Sequence, residues 1–215
     1  MADAWVLDPF EALITRAIYV NALSGLGLRF DRDFEAAQVA SGFCKVKPQV
    51  LNGFNWSRAI IYMPPFREIE VDGIVIAVEG YTLRRLLERG VKPDIVVTDF
   101  DFEPNNLANY DGLVLGHAHG DNIGLFVKYG KLVKNMIPTV QVWPTTCGIL
   151  IPGFTDGDRA VYLSAYMGAR EIVVRGFNPR VNVKRMDDVK VAKLKLAELF
   201  LARASRLTKI TVHQD

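Results

Sequence analysis

The sequence predicts an α/β protein: a mostly parallel, doubly wound sheet flanked by helices, with a small N-terminal helical segment. Three observations carry that prediction. Short β-branched apolar runs recur at 59–63, 74–78, 95–98, 112–115, 139–143, 172–174 and 210–212. Near-continuous hydrophobic strands of this kind are buried on both faces, as the strands of a parallel sheet are. Helical patterns alternate with them at 82–89, 122–136, 158–167 and 187–204, the order that repeated strand–helix–strand units require. The first 57 residues lack such runs. The chain therefore divides into an N-terminal helical segment, 1–57, and a Rossmann-like α/β domain, 58–215.

In the N-terminal segment, Asp8-Pro9-Phe10-Glu11 has the form of a capping box with proline at the first helical position. Apolar residues recur from there through Leu23, until Gly25 and Gly27 break the pattern. A second helix is expected at 31–42, packing through Phe34, Ala37, Val39 and Ala40, and residues 45–56 read as a connector.

Half of the 215 residues are hydrophobic and 23% are charged, enough to bury an ordinary core. Lys plus Arg number 26 against 24 Asp plus Glu, a balance that argues against a nucleic-acid or acidic-lipid partner. No apolar run approaches the roughly 18 residues of a membrane span. The opening MADAWVLDPFEAL is acidic where a secretory signal is basic, and the expectation is a cytoplasmic protein. The two cysteines, Cys44 and Cys147, are far apart in sequence and form no CxxC pair, so neither a metal ribbon nor a disulfide scaffold is expected.

Ligands of open α/β sheets bind beyond the carboxyl ends of the strands, near the point where strand order reverses. Along that rim the sequence places Glu79-Gly80-Tyr81-Thr82, then Thr98-Asp99-Phe100-Asp101, then His117-Ala118-His119-Gly120-Asp121-Asn122. Thr145-Thr146 and Arg175-Gly176-Phe177-Asn178 follow later strands. Gly153-Phe154-Thr155-Asp156-Gly157-Asp158-Arg159 enters a helix. Acids and imidazoles thus gather at one edge.

Asp99 and Asp101 stand two apart, so in extended chain their carboxylates face the same way. Like charges that close call for a cation, and Mg²⁺ is commonly held by a few carboxylates with water and phosphate. His117 and His119 share the period-two spacing, and Asp121-Asn122 are expected to cap the next helix. One of the two histidines also fits a purely structural place beneath the rim. His117, His119 and Asp121 offer a zinc site as a second choice, although only His213 remains to supply a third imidazole. Helix capping explains one acid of Asp156-Gly157-Asp158, with Gly157 then admitting a ligand to the backbone. Cys147 reads as packing or pocket wall. No phosphate-cradling GxxxxGK[ST] is present, so phosphate binding would rest on metal and on cations drawn from Arg84, Arg85, Arg159, Arg175, Lys184 and Lys193.

Val97-Thr98-Asp99-Phe100-Asp101, His117-Ala-His119-Gly-Asp121-Asn122 and Gly153-Phe-Thr155-Asp156-Gly-Asp158-Arg159-Ala160, in that order and spacing, resemble the archaeal 6-hydroxymethyl-7,8-dihydropterin pyrophosphokinases, a family similar to thiamine pyrophosphokinases. The resemblance covers roughly residues 59–212. It departs at Glu79, Phe102 and Cys147, where the family commonly has other residues. It implies transfer of diphosphate from ATP to a hydroxymethyl pterin with Mg²⁺, releasing AMP. It implies catalytic roles for Asp99, Asp101, Asp121, Asp156 and Asp158, with the metal on Asp99, Asp101 and Asp121. Glu79, Thr98, His117, His119, Asn122, Thr155, Gly157 and Arg159 would bind substrate, while Tyr81, Trp143 or Phe177 would stack on the acceptor ring and Asn178 read its edge. Thiamine or another alcohol as acceptor, or a non-catalytic nucleotide-binding regulator, are the alternatives. The N-terminal helices have two roles open to them: covering the acceptor pocket or building a homodimer interface.

Overall fold

The structure is a computed structural model that describes residues 3–6, 9–142, 146–176 and 188–213, with side chains from residue 13 onward, Lys190 aside. Among these residues nine strands form one sheet in which every pairing is parallel. In chain order they are β1 (Asp3–Val6), β2 (Arg58–Tyr62), β3 (Ile74–Val78), β4 (Ile95–Thr98), β5 (Leu113–Ala118), β6 (Met136–Val140), β7 (Cys147–Leu150), β8 (Glu171–Arg175) and β9 (Lys209–His213). Their spatial order is β1-β7-β6-β5-β4-β3-β2-β8-β9. The chain winds outward from β2 to β7 and then returns to lay β8 and β9 on the other side of β2.

That reversal sets the layers. The helices are α1 (Pro9–Leu26), α2 (Phe30–Ser41), α3 (Glu79–Leu87), α4 (Ile123–Gly130), α5 (Asp156–Tyr166) and α6 (Asp188–Ala204). A right-handed crossover between parallel strands puts its helix on a face fixed by the direction of travel. The outward crossovers therefore carry α3 and α4 on one face, where α2 joins α4. The returning crossover carries α5 across the other face, over β2, β3 and β4, with α6 packed upon it. Sandwiched in this way, α5 is buried from Asp156 through Ser164.

The central strands β3, β4, β5 and β6 are buried at every position, as the apolar runs predict for β3 and β4. The run expected at 139–143 gives way to a β6 that starts three residues earlier. Two strands were not expected, β1 and β7, and β1 ties the start of the chain to the far edge of the sheet. The helix expected to reach residue 136 stops at Gly130, because Met136 opens β6. The buried stripe of α2 is Asp33, Ala36, Ala37 and Ala40, whereas Phe34 points outward. Small residues on that stripe let the helix lie close to the sheet. The connector contains a short 3-10 helix, Pro48–Gly53.

One expectation is overturned outright. Cys44 and Cys147 are 103 residues apart in sequence but form a disulfide, with 6.0 Å between their Cα atoms. The sheet brings the start of β7 beside the chain leaving α2, and the Thr146 N–H also donates to the Ser41 hydroxyl. Among the described residues no helix is long and apolar enough to cross a membrane.

Candidate functional site

The site is built where β3, β4 and β5 end and α5 begins. β4 stops at Thr98, whose buried hydroxyl accepts the Phe100 N–H at 3.0 Å. Phe100 adopts a left-handed backbone, φ 67°, and buries its ring edge-on against Phe126. The Asp99-Phe100-Asp101 segment is therefore a tight turn, with the Asp101 N–H donating to Asp99 Oδ1 at 3.1 Å, and not the extended pair expected. Glu79, after β3, also takes a positive φ of 71°. Positive φ is costly for a side-chain-bearing residue and persists where the surroundings impose it, often at functional sites.

Asp156, in the first turn of α5, reaches this rim. It is 6% exposed, and its Oδ2 accepts the Asp99 N–H at 3.0 Å. Burial, then the negative charges of Asp99 and Glu79, push its carboxyl well above the ordinary range, while Arg159 opposes the shift and Asp101 adds to it. Four carboxylates from three chain segments thus share one field.

Arg159 is the counter-charge. It is 2% exposed, donates from Nη1 to the Ile151 carbonyl at 3.3 Å, and leaves Nε buried without a hydrogen-bond partner. Burial lowers its pKa, against the pull of Asp158, Asp156, Asp99 and Asp33. A guanidinium remains charged even so. So enclosed, it bears on the rim acids through its charge.

The other acid of the pair has a different task. Asp158 accepts the N–H groups of Phe154 and Thr155, each at 2.9 Å, while Thr155 Oγ1 accepts the Asp158 N–H at 3.4 Å. This reciprocal capping box opens α5, and such caps contribute about 1 kcal/mol. Burial raises the Asp158 carboxyl, against Arg159 and these N–H donors. Gly153, at φ 144°, lies so close that a Cβ there would stand 2.6 Å from Asp158 Oδ1. A Cβ on Gly157 would meet the end of the Met63 side chain at 2.7 Å, so the space beside this glycine is taken by Met63.

The two histidines separate. His117, 1% exposed, hydrogen-bonds through Nδ1 to the Thr139 hydroxyl at 3.1 Å and through Nε2 to Gln141 at 3.3 Å. Burial, then the charge of Arg159, holds its pKa well below 6.5, so the ring is neutral near pH 7. With the Gln141 amide nitrogen facing Nε2, the ring proton sits on Nδ1. His117 is thus held as a structural residue, and its Nε2, the nitrogen a metal would take, is already occupied by Gln141. His119 stacks on it at 5.7 Å between centroids and lies at the rim, 3.9 Å from Asp99 and 4.0 Å from Asp121.

Asn122 stands at the N-cap of α4 yet makes no capping bond. Its amide instead donates to the carbonyls of Asp99 at 2.7 Å and His117 at 2.8 Å, stitching the ends of β4 and β5 together. Asp121 is 72% exposed, on the far side of the His119 ring from Asp99. Among the described residues no three His, Cys, Asp or Glu side chains form a group ready to hold a metal, so Asp99, Asp101 and Asp121 are not preassembled as one. Of the expected cations, Arg84 is engaged by Glu88 and Glu103, Arg85 by Glu88, and Arg175 by Glu68 and Glu70. Lys193, on α6, contributes to the field at His117. Tyr81 stacks on Phe102 at 5.2 Å. Trp143, Thr145, Phe177, Asn178 and Lys184 lie outside the described residues.

Sequence reasoning missed Asp33. One carboxylate oxygen accepts the Gly120 N–H at 2.6 Å and the other the hydroxyl of Tyr19, so α1 and α2 both hold the HAHGDN turn. Burial, with Asp33 beside it, raises the Tyr19 hydroxyl and keeps its proton in place. A Cβ on Gly120 would stand 2.5 Å from the Arg32 Cβ. The available signal was an acid on the alanine stripe of α2.

Residues 63–182 match the family described as 6-hydroxymethylpterin diphosphokinase, MptE-like. The chain belongs to this family. The MptE-like match takes in the whole rim just described, from Glu79 to Arg159. Among curated relatives, the 6-hydroxymethyl-7,8-dihydropterin pyrophosphokinase of Methanothermobacter thermautotrophicus is 42% identical over 120 residues, covering 54% of this chain and 51% of that protein. The protein of the same name from Pyrococcus furiosus is 42% identical over 112 residues, 50% of this chain and 46% of that one. That of Methanocaldococcus jannaschii is 30% identical over 158 residues, 63% of this chain and 64% of its own. The chain spans about half the length of the first two MptE-like relatives.

Proposed function

We propose that this protein is a Mg²⁺-dependent diphosphokinase that transfers diphosphate from ATP to the hydroxymethyl group of 6-hydroxymethyl-7,8-dihydropterin. The observation that carries this is the buried Asp156 carboxyl, pressed upward by Asp99 and Glu79 at the strand ends. Such a cluster of like charges is unfavourable by itself and suits a divalent cation. Family membership supplies the reaction class.

The donor set is all oxygen, as Mg²⁺ prefers, and Mg²⁺ needs few protein ligands when water and phosphate fill its shell. Asp99 and Asp101 would hold it, with Asp121 across His119 from them and Glu79 and Asp156 behind. Bound there, the ion would neutralise charge on the triphosphate. The chain's own groups do the rest. Asn122, Thr98 and Asp156 fix the backbone of the Asp99 turn, so the carboxylates keep their places as charge redistributes. His119 faces the phosphate chain, and buried Arg159 balances the acids from below. The acceptor hydroxyl oxygen bonds to the β-phosphorus, the bond from that phosphorus to the α–β bridging oxygen breaks, and AMP departs. A rim carboxylate takes the hydroxyl proton.

Purified protein given ATP, Mg²⁺ and the hydroxymethyl dihydropterin should form AMP, and Asp99→Ala should lower the rate by about a hundredfold or more. Thiamine in place of the pterin identifies the acceptor class. Release of ADP, or no nucleotide product with either acceptor, would defeat the proposal.

A further inference from the structure

Beyond the ends of β6 and β7, beside the acid rim, lies a cavity of about 350 Å³. α1 and α2 wall it with Leu13, Tyr19 and Phe30, the chain after β7 with Phe154, and α6 with Phe200. Its polar lining is Gln141, just past the end of β6, with Thr15 and Arg16 of α1. The volume falls in the range of small-molecule sites, and the lining is of their kind: aromatic and aliphatic walls with few polar groups.

Two features connect this cavity to the rim. Gln141 is hydrogen-bonded to His117, which stacks on His119, which faces Asp99. Tyr19 donates to Asp33, which holds the HAHGDN turn. A third feature points to a ligand. Gln141 Oε1 is shut off from solvent with no hydrogen-bond partner. An unmet acceptor is costly, and the terminal amide torsion is soft, so a small turn toward a donor in the cavity would satisfy it.

We propose that this cavity seats a flat nitrogen heterocycle bearing an exocyclic amine, with Gln141 accepting from that amine and the aromatic walls covering the ring faces. The assignment rests on the diphosphokinase reading, in which both substrates carry such a ring: adenine on the donor and pterin on the acceptor. Aromatic side chains favour flat partners, and an amide beside them reads the ring edge. The N-terminal helix α1 is then one wall of a substrate subsite.

Calorimetry on the full chain separates the two sources. The probes are ATP with Mg²⁺, inorganic triphosphate with Mg²⁺, and oxidised 6-hydroxymethylpterin, compared between the native protein and Gln141→Leu. If adenine occupies the cavity, ATP binds about tenfold more weakly to the variant while triphosphate is unchanged. If the pterin occupies it, the pterin alone weakens by about that factor. Leu13→Trp, at an exposed residue on the wall, should block the same ligand in a folded protein. Unchanged binding of both rings to both variants overturns the assignment, as does an equal loss of triphosphate binding. AMP formation by the native protein is scored separately. If it is absent while ring binding depends on Gln141, the diphosphokinase reading fails and the cavity assignment stands.

Discussion

Replacing Asp33 by alanine tests whether the HAHGDN turn is held from the N-terminal helices. The native carboxylate is 3% exposed and accepts from the buried Tyr19 hydroxyl and from the Gly120 N–H. Alanine leaves two donors without an acceptor, and an unsatisfied buried donor costs about 1–3 kcal/mol. With Gly120 less deeply buried than Tyr19, the total is roughly 3 kcal/mol. For a chain of this size that is a fall in Tm of roughly 6–12 °C. Urea denaturation should show a lower midpoint with an unchanged slope. Asp33→Asn retains an acceptor for Gly120 and presents an amide donor to the Tyr19 oxygen, so it should lose less than half as much. A loss below about 1 kcal/mol in Asp33→Ala would refute the bridging role. Equal losses in the two variants would show that the charge, felt by Arg159, matters more than the bonds.

Three further outcomes follow from the same geometry. Asp156 has its carboxyl pKa raised on folding, so its contribution to stability is present at low pH and is lost as pH rises from about 4 through the raised value. Asp156→Asn should therefore unfold at a higher temperature than the native protein at neutral pH without divalent ions, while losing turnover; a lower Tm contradicts the repulsion argument. His117 is shifted the other way, so its contribution is complete above about pH 6.5 and fades as pH falls below that. Nitrogen NMR should find its ring neutral at about pH 6, and a midpoint near 6.5 would contradict its burial. Cys44→Ser removes the 44–147 bond and should cost about 2–4 kcal/mol in denaturant melts, with free thiol in the native protein detected only after reduction.

The sheet was readable because buried parallel strands advertise themselves: 59–63, 74–78 and 95–98 are uninterrupted apolar runs, and β2, β3 and β4 fall on them. β6 was misplaced because Pro138 splits its run, and proline reads as a break in a ladder. The structure tolerates it since the ladder between β6 and β7 begins only at Thr139. β1 and β7 have four residues each and too little pattern to be seen. Position after a strand was enough to place Glu79, Asp99 and Asp101 at one rim, and position at a helix start was enough to bring Asp156 beside them. Their division of labour was not legible, because it depends on the backbone turn at Phe100 and on which acid of the 156/158 pair caps α5. The disulfide and Asp33 were hidden for one reason: each acquires its partner through contact between segments about 90 or 100 residues apart.

The sheet order has a bearing on how the chain assembles during synthesis. β1 precedes the other strands in chain order, yet its register partners begin at Cys147 and belong to the seventh strand. Until that strand is in place, the opening segment has no ladder to join, and its docking closes the longest loop in the sheet. Loop closure on that scale is slow, so β1, though made before the strands it joins, is among the last of the sheet to reach its native position. A translation pause before residue 147 would leave β6 as a bare edge, open to pairing with the wrong neighbour.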